Sequence, residues 1–161
     1  LDTIMARESS YLAGVQTVLA AYRADLSHQP AFIQPDTRHF WVTTFTVRPG
    51  QDEAFTAVMK AYTAGYAAAG VFAPWVTYQM VAGGDAPTFY LIMPMESYET
   101  IDQDMANMTA VGAKLASPAT IAAQFQASVE HMEVQVLTIN PQISYVPEAF
   151  ASQDQQFWKA K

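Results

Sequence analysis

The chain has 161 residues, 51% of them hydrophobic and 12% aromatic, a composition that excludes a disordered protein and suits one good core. Its net charge of −7, from 15 acidic and 8 basic residues with no Lys/Arg cluster, argues against nucleic acid or an anionic membrane as a partner. No apolar run reaches the roughly 18 to 20 residues of a membrane span, and the lack of cysteine excludes disulfides and thiolate metal sites. The compartment stays open between cytoplasm and periplasm or secretion, since Leu1 is not a start methionine and leaves room for a removed signal.

At the start of the chain, residues 1–32 echo residues 118–150 at an offset of 117. The offset aligns Thr3-Ile4 with Thr120-Ile121, Ala6 with Ala123, Ser27 with Ser144 and Pro30 with Pro147. Apolar character follows the same alignment, with Leu12, Val15, Leu19 and Leu26 opposite Val129, Met132, Val136 and Ile143. This predicts that residues 1–35 are the C-terminal remnant of a preceding tandem module: the end of a helix over 1–10, a strand over 12–22 and a linker over 23–35. Residues 36–150 form the complete module and 151–161 a tail, in which Phe157 and Trp158 suit a short docking helix or a cover for a neighbouring subunit.

From residue 38 the elements follow in order. Arg38 to Val47 is β-branched and aromatic, a strand stopped by Pro49-Gly50. Asp52 and Glu53 place negative charge in a helix's first turn, and Phe55, Val58, Met59, Tyr62, Tyr66 and Ala69 recur on one helical face. Gly70 ends that helix. Trp75 to Ala82 and Thr88 to Met93 read as a hairpin around the Gly83–Pro87 turn, and Pro94 is expected to close its second strand. Tyr98, Ile101, Met105, Met108 and Leu115 have helical spacing, with a break near Gly112; the methionines read as core. Ser117-Pro118 opens a further helix to about Ser128, because proline is tolerated at a first helical position. Val129 to Ile139 then alternates Met132, Val134 and Val136 against His131, Glu133 and Gln135, a half-buried strand.

The order βαββαβ predicts an α+β fold of ferredoxin-like type, with helices on one face of an antiparallel sheet. Val47-Arg48-Pro49-Gly50, with Phe55 five residues on, in a module of this order, resembles the dimeric α+β barrel superfamily, and within it the NIPSNAP-like and antibiotic-biosynthesis-monooxygenase-like branches. The resemblance covers residues 36–150. It implies two sheets packed face to face around a ligand pocket, from two chains or two tandem modules, so the expected partner is a second copy, through sheet faces or strand exchange.

With Met132, Val134 and Val136 under the helices, His131, Glu133 and Gln135 point to the other face, the one that lines the barrel in the resembling family. His131 and Glu133 lie about 7 Å apart along the backbone, close enough for a general base and its orienting carboxylate. The alternative is a polar sheet surface at a subunit interface; the echo has Gly14 and Gln16 at these positions. The ligand-binding candidates on neighbouring strands are His39, Trp41, Trp75, Gln79 and Tyr90, beside Gln135, with Thr43 and Thr77 in the same set. A one-residue slip in register would invert that list. Trp41 and Trp75 could stack on a planar ligand or simply fill the core.

No metal site is expected, since nothing makes His39 meet His131. His28, in a Ser/Gln/Pro-rich stretch, reads as a solvated surface residue, and Arg48 as a solvated strand end or a carboxylate binder. Haem-binding relatives in the resembling superfamily use a histidine on a helix; no predicted helix carries one, so no cofactor is expected. No phosphate loop, nucleophile elbow or HExxH motif occurs. Three readings stay open: a small-molecule-binding barrel with an aromatic or apolar ligand, a cofactor-independent monooxygenase or isomerase-like enzyme acting through His131 and Glu133, and a purely structural oligomerisation domain.

Overall fold

The computed structural model describes residues 13–30, 34–84 and 87–159. The helix read over 1–10 and parts of the echo and of the 83–87 turn lie outside the described residues. Within them the chain forms β1 (Leu19–Tyr22), β2 (His39–Val47), α1 (Asp52–Ala69), β3 (Val76–Ala82), β4 (Thr88–Met95), α2 (Glu99–Gly112), α3 (Pro118–Ser128) and β5 (Val129–Thr138). Two one-turn helices follow, α4 (Glu148–Ala151) and α5 (Gln155–Trp158). The sheet is five-stranded, in the order β1-β3-β4-β2-β5, and every pairing is antiparallel. β2-α1-β3-β4-helices-β5 is the βαββαβ order, and the fold is α+β, consistent with a ferredoxin-like arrangement.

Local chemistry explains most boundaries. Gly70 takes the left-handed conformation at the end of α1, φ 66°, which a Cβ would disfavour. Pro118 occupies the first turn of α3. Arg48 is exposed at the end of β2, as a solvated strand end would be, but it is also tied down: its Nη1 donates to the carbonyls of Gln126 and Ala127 at 3.2 and 3.1 Å, and to that of Val129, satisfying orphan acceptors at the end of α3. Pro94 does not close β4, which runs on to Met95. β3 pairs with β4 only as far as Ile92, so beyond that point a missing N–H breaks no ladder bond on the β3 side.

The segment read as strand 12–22 and linker 23–35 differs most from expectation. Among the described residues of this segment Leu19–Tyr22 forms the strand, laid antiparallel along β3. The chain after it is strapped to β3 instead of crossing solvent. Leu26 is 0% exposed, and its carbonyl accepts from Trp75 Nε1 at 2.8 Å and Thr77 Oγ1 at 2.9 Å. Leu26 belongs to a core cluster with Phe45, Val47, Phe55, Met59 and Phe89. A second cluster joins Tyr66, Val71, Ala73, Trp75, Met93, Met95 and Val111. His28 pairs with Trp75 by backbone and is 5% exposed, its ring 4.9 Å from that of Trp75 and 5.8 Å from that of Tyr66. It is therefore a core histidine, because the bridge to Trp75 pulls it under the hairpin.

The tail docks on its own chain. Trp158 Nε1 donates to the Pro35 carbonyl at 2.9 Å, Asp154 pairs with Arg38, and the Arg38 guanidinium lies 3.9 Å from the centre of the Phe157 ring.

Candidate functional site

The register of the sheet decides which candidates can meet. Residues paired across strands share a face, and faces alternate along each strand. Trp41 pairs with Met93 and Val136, Thr43 with Leu91 and Val134, and Phe45 with Phe89 and Met132. These side chains face the helices, as the alternation of Met132, Val134 and Val136 predicts. Thr77 pairs with Leu91 and Gln79 with Phe89, so Trp75, Thr77 and Gln79 belong to the same face, and so does His39 by its parity with Trp41. On the opposite face His131 pairs with Thr46, Glu133 with Thr44 and Gln135 with Val42, and Tyr90 joins them through Thr44.

The candidate list thus divides. His131, Glu133, Gln135 and Tyr90 lie on one side of the sheet; His39, Trp41, Trp75 and Gln79 lie on the other. The expectation that all shared one face fails on β2 and β3, where the register is one residue from the guess and inverts the assignment. His131 and Glu133 are both exposed, and Glu133 Oε1 accepts from Gln135 Nε2 at 2.8 Å. His39 and the partner of His131, Thr46, are seven residues apart on β2, roughly 24 Å, so the two histidines cannot share an ion. His39 contacts Thr138 Oγ1 at 3.0 Å and stacks on Tyr98, ring centres 4.4 Å apart. Among the described residues no group of three His, Asp or Glu side chains could hold a metal ion.

What the structure does bring together is a cavity of about 430 Å³ between the helix-facing side of the sheet and the helices. Its floor is Trp41, Thr43, Phe45, Leu91 and Met93 from β2 and β4, with Trp75 at one end. Helix α1 supplies Met59, Tyr62 and Tyr66; α2 supplies Ile101, Asp104, Met105 and Met108; α3 supplies Phe125. Met132 and Val134 of β5 complete the rim. Met105, Met108 and Met132 are 65%, 42% and 51% exposed, which marks the open side, between α2 and the edge strand. The gap exists because β5 is an edge strand that the helices do not fully cover, so apolar side chains that a helix would bury line an opening instead.

Three of the sequence candidates, Trp41, Thr43 and Trp75, line this cavity. Gln79 sits in a separate polar cleft with Arg23, Asp52, Glu53, Thr56 and Lys60. There Arg23 donates to Gln79 Oε1 at 2.5 Å and grips Asp25 through two nitrogens, at 2.8 and 2.9 Å. This grip, helped by Lys60, holds the Asp25 carboxyl well below the usual carboxylate range.

A pair that includes a carboxylate stands in the cavity between the helices and the sheet. The Tyr66 hydroxyl donates to Asp104 Oδ1 at 2.9 Å and lies 3.3 Å from the sulfur of Met108. Burial raises the Asp104 carboxyl above its ordinary value, with the Tyr66 bond opposing it. Burial likewise pushes the Tyr66 phenol up, and the neighbouring Asp104 charge adds to the effect. From sequence, Tyr62 and Tyr66 fall on one apolar helical face and Met105 and Met108 read as core. The available signal was Asp104, a carboxylate on the α2 stripe of Ile101, Met105 and Met108 at helical spacing.

No protein-family model matches the chain, and no curated protein matches it. Among solved structures it is similar to the "putative monooxygenase from Lactobacillus acidophilus NCFM", at 12% identity and a TM-score of 0.47, over 70% of this chain and 47% of that one. The matched region thus spans about half the length of that protein. Among the described residues no helix is long and apolar enough to cross a membrane.

Proposed function

We propose that the protein binds a small, predominantly apolar aromatic molecule in the cavity between α1, α2, α3 and the sheet. The observation that carries this is the lining: six aromatic side chains and five methionines around about 430 Å³, with Asp104 as the one charged group. The pocket lies inside one chain, and not between two sheets as the family resemblance implied. The test is a neutral fluorescent probe, N-phenyl-1-naphthylamine, whose emission rises on entering an apolar site. Saturable binding to the protein and its loss in Leu91→Trp, which fills the floor, support the reading. Equal binding by a folded Leu91→Trp variant refutes it.

The enzyme reading, in which His131 acts as base and Glu133 orients it, finds less support because both residues are exposed on the face away from this cavity. Element order and the helix-to-sheet cleft are compatible with the dimeric α+β barrel superfamily, and we assign the chain there, near the monooxygenase-like branch. In keeping with that assignment, Val42, Val76, Tyr78 and Ile92 stand only half-buried on the sheet face away from the cavity, a surface suited to a second copy of the chain. Mass in solution checks this: a dimer that Ile92→Lys converts to monomer is the expected result, and a monomeric native protein removes it.

A further inference from the structure

The hydrogen-bonding capacity of the cavity is strongly one-sided. Three of its donors are spent within the protein: Trp41 Nε1 on Thr43 Oγ1 at 2.9 Å, Trp75 Nε1 on the Leu26 carbonyl at 2.8 Å, and the Tyr66 hydroxyl on Asp104 at 2.9 Å. The neutral hydroxyls of Tyr62 and Thr43 remain. Among the described residues no lysine, arginine or histidine lines the cavity, and Asp104 is its one charged group. An anionic ligand would meet a carboxylate with no counter-charge, and would be repelled.

Aromatic faces and a carboxylate attract the same partner. A cation is drawn to the electron-rich faces of Trp, Tyr and Phe, and more strongly where water is excluded. A half-buried carboxylate with only a neutral hydroxyl for a partner is undercompensated and is stabilised by an ammonium placed against it. The soft sulfurs of Met105 and Met108, which line the cavity with Asp104 on α2, tolerate an alkyl or aryl body of varied shape. The net charge of −7 favours the approach of cations at low ionic strength.

We propose that the cavity is selective for a lipophilic organic cation, an amine carrying an aromatic or bulky apolar body, with its ammonium group against Asp104 and its body between Trp41, Trp75 and the tyrosines of α1. This rests on the small-molecule reading of the same pocket and narrows its ligand to one chemical class.

Three probes with one ring system separate the two claims: 1-naphthylmethylamine as cation, 1-naphthalenemethanol as neutral donor and 1-naphthylacetate as anion, titrated calorimetrically at neutral pH and low salt. The ammonium is expected to bind about tenfold tighter than the alcohol, and the acetate weakest. Asp104→Asn keeps an acceptor for Tyr66 and should remove most of the ammonium's advantage over the alcohol. Met105→Lys, at an exposed rim position, should weaken the ammonium relative to the alcohol, and it supplies the test if Asp104→Asn does not fold. Equal binding of ammonium and alcohol, or a preference undiminished in Asp104→Asn, overturns the cation assignment while leaving the pocket in place. If none of the three probes binds, both the assignment and the pocket reading fall.

Discussion

Leu26→Ala tests whether the strap before β2 is part of this module's core. Leu26 is fully buried and packs in the cluster of Phe45, Val47, Phe55, Met59 and Phe89, whose rings are 4.8 to 5.3 Å apart along the series Phe45, Phe55, Phe89. Truncation removes three carbon groups, about 2.4 kcal/mol of transfer free energy at about 0.8 kcal/mol each. The stacked rings around it cannot collapse freely, so a cavity cost adds, for a total of about 3 to 4 kcal/mol. The backbone carbonyl stays, so the bonds from Trp75 and Thr77 are retained and the loss is one of packing. Urea unfolding followed by tryptophan fluorescence reads the change as a lower midpoint with an unaltered slope. Val15→Ala, at a residue 78% exposed, is the control and should change stability by less than about 0.5 kcal/mol. A Leu26→Ala loss under about 1 kcal/mol would mean that the segment lies on the module as a detachable linker, and the reasoning would be refuted.

Three other outcomes follow from the geometry. Burial raises the folded-state pKa of Asp104, so the stability this group contributes is present below the ordinary carboxylate pKa and lost as pH rises through the folded value; Asp104→Asn should gain on the native protein as pH goes from about 3 to 7, read as a widening gap in urea midpoints, and a gap that narrows refutes the burial argument. Gly83 has φ 97°, and a Cβ there would stand 2.1 Å from the Thr17 carbonyl oxygen, so Gly83→Ala should cost about 1 to 3 kcal/mol and speed amide exchange along β1; unchanged exchange would show that the contact does not hold the strand. His131→Ala should leave the affinity for N-phenyl-1-naphthylamine unchanged, since His131 faces away from the cavity; a drop of tenfold or more would return it to the site.

Element types and their order were legible because each rests on local chemistry: the apolar stripe of Phe55, Val58, Met59, Tyr62 and Tyr66 marks α1, Gly70 ends it, and Pro118 starts α3 within the chain's own neighbourhood. The alternation on β5 was legible for the same reason, and it set Met132 and Val134 towards the helices correctly. β2 and β3 carry large or polar side chains on both faces, so period-two alternation could not say which set points inward, and Trp41 was set beside His131 when the ladder sets it beside Val136.

The cavity was beyond any such reading. Its walls come from three helices and three strands far apart in the chain, and most wall residues obey the same apolar periodicity as a packed core. An opening beside an edge strand is a property of how helices sit on a sheet, and side-chain periodicity is indifferent to it. The sequence by itself therefore determined the elements, their order and the apolar face of β5, because propensity, capping and alternation act over a few residues. Only the tertiary structure decided that Leu26 and His28 are core, that His131 and Trp41 lie on opposite sides of the sheet, and that Tyr66 meets Asp104 in a pocket. Each of these depends on strand register and helix placement, which are set by contacts between residues tens of positions apart.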